Sequence, residues 1–203
     1  MDQFKDAGND LLNLPSSIDE FFTLLDRVET LLVNVQQAPS KSMHDALLPS
    51  MNALITDELL SHAEMDVKVS FLSCITEITR ITAPDAPYDD EKMKEVFQLT
   101  VIVFENLSHL FSHCYMKVIS ILSTVAKVKS CLLMLDLECD ALVVEMFQTF
   151  FKTISANHPH DVFSAMETIM TMVIDETDNI SLDLLNPLLA SVRKENETIS
   201  PIW

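Results

Sequence analysis

The sequence predicts an all-α protein, and three observations carry that prediction. The chain of 203 residues contains one glycine, Gly8, whereas sheet proteins need glycine for hairpin turns and bulges. Hydrophobic residues make up 48% of the chain and charged residues 22%, which is the balance of a folded protein with a substantial core. The apolar residues also recur at spacings of three and four, the period of an amphipathic helix.

The first half of the chain begins with two predicted helices. Residues 17–20, Ser-Ile-Asp-Glu, form a capping-box pattern, which predicts a helix that opens there and runs to about residue 35. A turn at residues 36–40 leads into a second helix over residues 43–55. Pro49 lies inside that second helix, so we expect a kink or a break there.

The third helix is predicted to open at Asp66. Its predicted buried stripe consists of Val67, Phe71, Cys74, Ile75, Ile78 and Ile81. Four polar residues are expected to lie mostly away from this stripe: Lys68, Ser73, Glu77 and Arg80.

A corner rich in proline follows the third helix. Pro84 and Pro87 each fix their own φ and push the preceding alanine out of the helical region. We therefore predict a stiff, extended corner between two helices, with Tyr88 standing exposed. Asp89 or Asp90 is expected to cap the following helix. Taken alone, this stretch is better explained as a well-capped linker between helices than as a binding site.

The second half of the chain is predicted to be helical throughout. The apolar periodicity marks helices over residues 90–106, 112–128, 130–135, 141–154, 161–174 and from 182 onward. Asp140 and Ser181 are the expected caps, and Pro187 predicts an interruption or a kink. About eight helices with short links imply antiparallel pairs in a single domain over residues 1–203.

A weak internal repeat points to a helical-repeat architecture. Asp66-Val67 and Asp161-Val162 would each open the second member of a helix pair. Their separation of 95 residues (161 less 66) equals two repeats of the roughly 40–47 residues typical of HEAT units. A compact helical bundle explains the same periodicity almost as well.

Charge and cysteine content narrow the classes of function. Thirty-one acidic residues against 13 basic ones give a formal charge of -18, which repels phosphate backbones and anionic membranes. We therefore expect partners to be proteins, although the charge can also serve solubility alone. Cys74, Cys114, Cys131 and Cys139 include no CxxC pair, so we predict buried free thiols in a reducing compartment. The chain shows no signal-peptide pattern at its start and no membrane-length apolar run.

Candidate chemical motifs favour structural roles. His109 and His113 are four apart, which on a helix could share a metal, but the segment lacks the glutamate of the HExxH pattern. The His158–Asp161 run is predicted to be a helix entry, since adjacency in sequence is not a triad. One glycine rules out a phosphate-binding loop. We predict no catalytic residue, no metal and no cofactor.

The corner is also where a resemblance to a known family begins. Residues 78–88, Ile-Thr-Arg-Ile-Thr-Ala-Pro-Asp-Ala-Pro-Tyr, resemble the N-terminal region of Pds-type cohesion factors (precocious dissociation of sisters), of the plant type in particular. The resemblance continues in the same order through residues 66–69, 92–97, 128–131, 135–137 and 181–189. It therefore covers most of the chain.

The resemblance implies a HEAT-like α-solenoid and a non-catalytic, nuclear role in sister-chromatid cohesion and DNA repair. It implies cohesin subunits and a Wapl-type release factor as partners. The residues implied to dock a partner peptide are Ala83, Pro84, Asp85, Ala86, Pro87 and Tyr88. Three alternatives stay open. One is an acidic helical-bundle adaptor unrelated to cohesion, and another is a short competitor that binds release factors without reaching cohesin. The third is a metal-dependent helical enzyme, which would hold stoichiometric metal when purified.

Overall fold

The computed structural model describes residues 2–13, 15, 17–177 and 182–191. Within these ranges the chain forms α-helices and one 3₁₀ helix but no strand, so the all-α prediction is confirmed. The number of helices is larger than the predicted eight. The α-helices of the described ranges are α1 Asp2–Leu12, α2 Ile18–Val33, α3 Lys41–Ala53, α4 Asp57–Leu60, α5 Met65–Thr82, α6 Asp90–Phe104, α7 Tyr115–Val128, α8 Leu132–Asp136, α9 Asp140–Thr153, α10 His160–Glu176 and α11 Leu182–Ser191, and the 3₁₀ helix is Glu105–Ser108.

The helices form two compact units, Met1–Leu99 and Thr100–Trp203, with the boundary inside α6. In the first unit α2 packs against α5, and α1 packs against α3 and α2. In the second unit α7 pairs with α10, and α9 pairs with α11. The prediction of one continuous domain over residues 1–203 stays a prediction.

Helix α5 is the centre of the first unit. All six residues of its predicted stripe are buried, but so are Val69, Leu72 and four hydroxyl residues on its other sides. The expectation that Ser73 lies away from the core is therefore wrong: its hydroxyl donates a hydrogen bond of 2.6 Å to the carboxylate of Glu29 on α2. A helix buried on nearly all sides belongs to an interior layer, and here buried hydroxyls are tolerated because they find acceptors.

Arg80 fixes the end of α2 against α5. Its guanidinium donates to the carbonyls of Leu32 at 3.1 Å and Val35 at 2.9 Å, and pairs with Glu77 at 2.7 Å. The last carbonyls of a helix have no partner within the helix. Arg80 therefore supplies donors to the C-terminal turn of α2 just before the chain enters the α2–α3 turn, defined here as residues 34–40.

Helix α1 has no counterpart among the predicted helices, and it contains the one glycine of the chain. A Cβ added to Gly8 would lie 2.6 Å from the backbone nitrogen of Ser50 and 2.7 Å from Cβ of Pro49. The absence of a side chain at Gly8 lets α1 approach α3 at Pro49. Ala7 and Leu11 are buried beside Gly8, which completes the inner face of α1.

Several predicted helix ends and breaks need correction. Helix α3 continues through Pro49 to Ala53, and α11 continues through Pro187 to Ser191, so neither proline breaks its helix. The N-cap of α9 is Cys139, with Asp140 as the first helical residue. Ser17 does occupy the N-cap of α2, but its side chain makes no capping hydrogen bond. Ser181, the expected cap of α11, lies outside the described residues.

The second unit packs around aromatic side chains of α9. Phe147 and Phe150 are buried, and the rings of Phe150 and Phe104 lie 5.5 Å apart. Val144 and Phe151 on the other side of α9 are half-buried, as a helix with two apolar sides predicts. Among the described residues, none of the helices has the length and apolar character needed to span a membrane.

Candidate functional site

The corner between α5 and α6 is a tight turn. Helix α5 ends at Thr82 and α6 begins at Asp90. The N–H of Asp85 donates to the carbonyl of Thr82 at 3.1 Å, and the Ala83–Pro84 peptide bond is cis. Ala83 has a φ of -51° and a ψ of 138°, which lies outside the helical region as predicted for a residue before proline. The hydrogen bond from Asp85 to Thr82 adds a turn that the sequence does not predict.

The carbonyls at the end of α5 need donors from outside the helix. The last carbonyls of a helix have no partner within it, and Pro84, which has no N–H, cannot donate to the carbonyl of Arg80. Ala83 is the C-cap residue, and its own carbonyl lies beyond the helix. The side-chain amide of Gln37 donates to the carbonyl of Ala83 at 2.8 Å. The backbone N–H of Ala38 donates to the carbonyl of Ile81 at 2.9 Å. Two residues of the α2–α3 turn thus donate hydrogen bonds to the carbonyls on either side of Thr82, where α5 ends.

Tyr88 anchors the other end of the corner and is not the exposed aromatic that we predict from sequence. Its ring is half-buried, and its hydroxyl donates to the carbonyl of Met51 in the last turn of α3 at 3.2 Å. Burial is the main cause that raises the pKa of Tyr88 well above its ordinary value. The phenol therefore remains a hydrogen-bond donor at neutral pH.

The start of α6 is fixed by its cap and by an ion-pair network. The carboxylate of Asp89 accepts from the N–H of Lys92 at 2.9 Å, which confirms Asp89 as the cap. The ammonium of Lys92 lies 2.6 Å from Asp57 of α4 and 3.0 Å from Glu95. The hydrogen bond from Lys92 lowers the pKa of Asp57, and the same contact raises the pKa of Lys92.

These anchors divide the six predicted docking residues into two groups. Ala83 is buried, and Pro87 and Tyr88 are half-buried, so these three form the held base. Pro84, Asp85 and Ala86 are exposed, and we call this segment the tip. The carboxylates of Asp90 and Glu91, which follow the corner, are also exposed. Together with Asp85 of the tip they form an acidic surface on a backbone that is held at both ends.

The two histidines four apart do not share a helical face. His109 is the C-cap residue of the 3₁₀ helix, and α7 begins only at Tyr115. The residues between them include Phe111, whose side chain is fully exposed. The helical spacing that would let His109 and His113 hold one metal ion is therefore not present.

His158 is a buried structural residue, which agrees with its predicted place at a helix entry. The hydroxyl of Tyr115 and Nδ1 of His158 are 2.6 Å apart, and Nε2 of His158 lies 2.9 Å from the carbonyl of Thr153. Because that carbonyl only accepts, Nε2 carries the proton and Nδ1 accepts from Tyr115 in the neutral imidazole. This network ties α7, the end of α9 and the start of α10 together.

Other candidate groups are also structural. All four cysteines are buried free thiols, as predicted, and burial raises the pKa of Cys131 to about 11, which makes it a poor nucleophile at neutral pH. Lys127 lines a groove of about 360 Å³ in which Asp161 is the other charged residue, so this groove is not a basic cluster. Met166 is buried in the core.

Comparison with known proteins identifies the family. A family model described as "Sister chromatid cohesion protein PDS5 protein" matches residues 19–202. The chain belongs to the PDS5 family. It is 55% identical over 97% of its length to sister chromatid cohesion protein PDS5 homolog D of Arabidopsis thaliana, and 28% identical over 83% to the pds5 protein of Schizosaccharomyces pombe. These matches cover 24% and 14% of those proteins, so the chain spans about a quarter or less of the relatives that it matches.

The fold is also that of a solved PDS5-family structure. The chain is similar to a chain in the structure described as "Structure of the Pds5-Scc1 complex and implications for cohesin function", with a TM-score of 0.78 over 91% of this chain and 28% of that one, at 24% identity. This likeness confirms the HEAT-like helical repeat and excludes the compact-bundle alternative. Family membership weighs against the adaptor unrelated to cohesion.

Sequence reasoning missed the residues that hold the corner. Gln37 and Ala38 lie in a turn 46 and 43 residues before the carbonyls that they contact, so no local pattern marks them. One signal is available: a helix that ends just before a proline leaves carbonyls whose donors must come from elsewhere in the fold.

Proposed function

We propose that this chain is a non-catalytic scaffold segment of a cohesin regulator, and that it docks a partner peptide at the tip Pro84–Ala86. Membership of the PDS5 family supports a role in sister-chromatid cohesion. The observation that carries the docking proposal is a tip that is exposed while both of its ends are held by hydrogen bonds.

A fixed, exposed backbone segment suits peptide binding for an energetic reason. Binding costs the free energy needed to order the interacting groups, and a segment ordered in advance avoids part of that cost. Asp85, Asp90 and Glu91 are exposed at the corner. Charge complementarity therefore favours a peptide that carries lysine or arginine.

We infer the partners from the family. The similar solved chain belongs to a structure described as the Pds5-Scc1 complex. This description supports a cohesin subunit as one partner of the complete protein. A Wapl-type release factor, a nuclear location and a contribution to DNA repair are further parts of this proposal. Competition between partners at the tip would bias cohesin towards retention on chromatin or release from it.

A pull-down from nuclear extract tests the docking site. Immobilised chain is compared with Asp85→Lys, which reverses the charge at the tip without altering a contact of the base. Asp45→Lys is the matched control, because Asp45 is an exposed acidic residue on α3 of the same unit. We expect Asp85→Lys to reduce the captured Wapl-type factor by about tenfold or more, whereas Asp45→Lys changes it less than twofold. Circular dichroism verifies that both variants are folded.

The same experiment separates the regulator from a short competitor. Because the chain spans about a quarter of homolog D, contacts to cohesin made by the rest of such a protein would be missing here. Capture of the release factor together with cohesin subunits supports the regulator. Capture of the release factor alone supports the competitor. Equal capture by Asp85→Lys and the unaltered chain contradicts docking at the tip.

A further inference from the structure

The α2–α3 turn supplies hydrogen-bond donors to the corner between α5 and α6. Ala38 adopts a left-handed conformation with φ of 52°, which is uncommon for any residue other than glycine. In this conformation its N–H points to the carbonyl of Ile81. A strained residue persists only where the surrounding structure holds it, and here Arg80 holds the chain on one side through the carbonyls of Leu32 and Val35.

Gln37 differs from the other anchors because it acts through an exposed side chain. The bond from Ala38 is made by the backbone, and Tyr88 is half-buried. Gln37 is an exposed residue whose amide reaches a carbonyl 46 residues away. That carbonyl belongs to Ala83, the C-cap residue of α5, which directly precedes the tip and lies beyond the last helical residue, Thr82. The orientation of this peptide group determines the direction in which the chain enters the tip.

We propose that Gln37 is a positioning residue of the docking surface, which keeps the tip in its binding conformation through the carbonyl of Ala83. This inference rests on the proposed function and adds a residue of a separate loop to it. Without the amide donor, the peptide group of Ala83 turns towards water and the tip populates other conformations. Apparent affinity then falls in proportion to the fraction of molecules that remain competent to bind.

Binding kinetics test this role with variants that remove only the donor. Gln37→Met keeps the length of the side chain without a donor, and Gln37→Glu replaces it with a carboxylate that only accepts. Gln36→Met and Gln36→Glu are the matched controls, because Gln36 is the adjacent exposed glutamine. Each chain is flowed over immobilised recombinant Wapl-type release factor. Thermal unfolding followed by circular dichroism verifies that every variant remains folded.

The rate constants distinguish positioning from direct contact. If the tip exchanges rapidly among conformations, a smaller competent fraction slows association and leaves dissociation unchanged. We expect both Gln37 variants to associate about five- to tenfold more slowly, as loss of one hydrogen bond implies. The Gln36 variants are expected to stay within twofold of the unaltered chain.

Three results would contradict the positioning role of Gln37, and each has a different consequence for docking at the tip. Equal association by the Gln37 and Gln36 variants removes the positioning role and leaves docking at the tip intact. Faster dissociation with unchanged association means that Gln37 contacts the partner directly. Failure of the unaltered chain to bind the release factor contradicts the proposed function, and the role of Gln37 falls with it.

Discussion

At the scale of single residues, two neutral side chains, Gln37 and Tyr88, donate hydrogen bonds that hold the two ends of the corner. The hydroxyl of Tyr88 satisfies the carbonyl of Met51 in the last turn of α3, where helix carbonyls lack internal partners. Burial keeps this phenol protonated by raising its pKa. Tyr88 therefore connects α3 to the corner as a structural residue, and its substitution tests stability rather than docking.

Replacement of Tyr88 by phenylalanine should destabilise the first unit. Tyr88→Phe keeps the ring but leaves the carbonyl of Met51 without this donor, so we expect a loss of about 1 kcal/mol in the free energy of unfolding. Urea unfolding at pH 7 measures the loss. An unchanged unfolding midpoint would show that water replaces the hydroxyl at no cost.

The pH dependence supplies a second test of the same residue. The folded state raises the pKa of Tyr88 above its value of about 10 in the unfolded chain, so the folded state binds the proton more tightly. This contribution to stability is present below pH 10 and is lost as the pH rises through the folded pKa. Tyr88→Phe should therefore lose less stability between pH 9 and pH 11 than the unaltered chain. Equal losses would contradict the buried position of the phenol.

At the scale of elements, helix packing depends on a few close contacts. Gly8 on α1 lies against Pro49 and Ser50 of α3, and this contact explains why a residue that disfavours helices stands inside α1. Alanine in place of glycine usually stabilises a helix by about 0.5–1 kcal/mol. Because α1 packs closely against α3 at Gly8, we expect alanine to lower stability at this position instead.

Gly8→Ala should lower the stability of the first unit. The added Cβ would lie 2.6 Å from a backbone nitrogen, so α1 must move away from α3, and overpacking of this kind costs about 1–3 kcal/mol. Chemical denaturation measures the change. Asn9→Ala, at an exposed neighbour on α1, is the control and should be neutral or slightly stabilising. A stabilised Gly8→Ala variant would mean that α1 does not pack closely on α3.

The buried hydrogen bond between Tyr115 and His158 allows a similar test of stability in the second unit. Tyr115→Phe removes the donor to Nδ1 of His158 and leaves a buried acceptor without that partner. Such a loss costs about 1–3 kcal/mol, which urea unfolding measures. His160→Ala is the control, because His160 is an exposed histidine at the start of α10. Equal stability of the two variants would contradict the network.

The long helices could be predicted from sequence, because periodicity and capping are local signals. Helix α10 spans residues 160–176, within two residues of the prediction at each end. Helix α1 is absent from the prediction because Gly8 and the polar residues around it disfavour a helix, although Phe4, Ala7 and Leu11 recur at helical spacing. Packing against α3 supports this helix. Helix α4 is only four residues long, too short for a periodic pattern.

The corner between α5 and α6 can be located from its sequence, but its geometry depends on distant residues. The prolines mark the segment, and the cap at Asp89 follows from a local rule. Whether Tyr88 faces solvent depends on the carbonyl of Met51, and the path of the tip depends on Gln37 and Ala38. Tertiary hydrogen bonds of this kind leave no periodic trace in the sequence.

At the scale of the whole molecule, charge and fold agree with the scaffold role that we propose. A formal charge of -18 disfavours direct contact with DNA and favours cationic protein partners. The HEAT-like repeat presents an exposed tip on a packed unit. We propose that proteins of the cohesin pathway contact this tip.

Photo-crosslinking from the tip tests that claim most directly. Benzoylphenylalanine is placed at Ala86 in one preparation and at Asp45 in a control, both exposed positions of the first unit, and each is irradiated in nuclear extract. Mass spectrometry identifies the adducts. We predict that the Ala86 probe crosslinks to a Wapl-type release factor or a cohesin subunit and that the Asp45 probe does not. Adducts with these proteins from Asp45 but not from Ala86 would contradict docking at the tip.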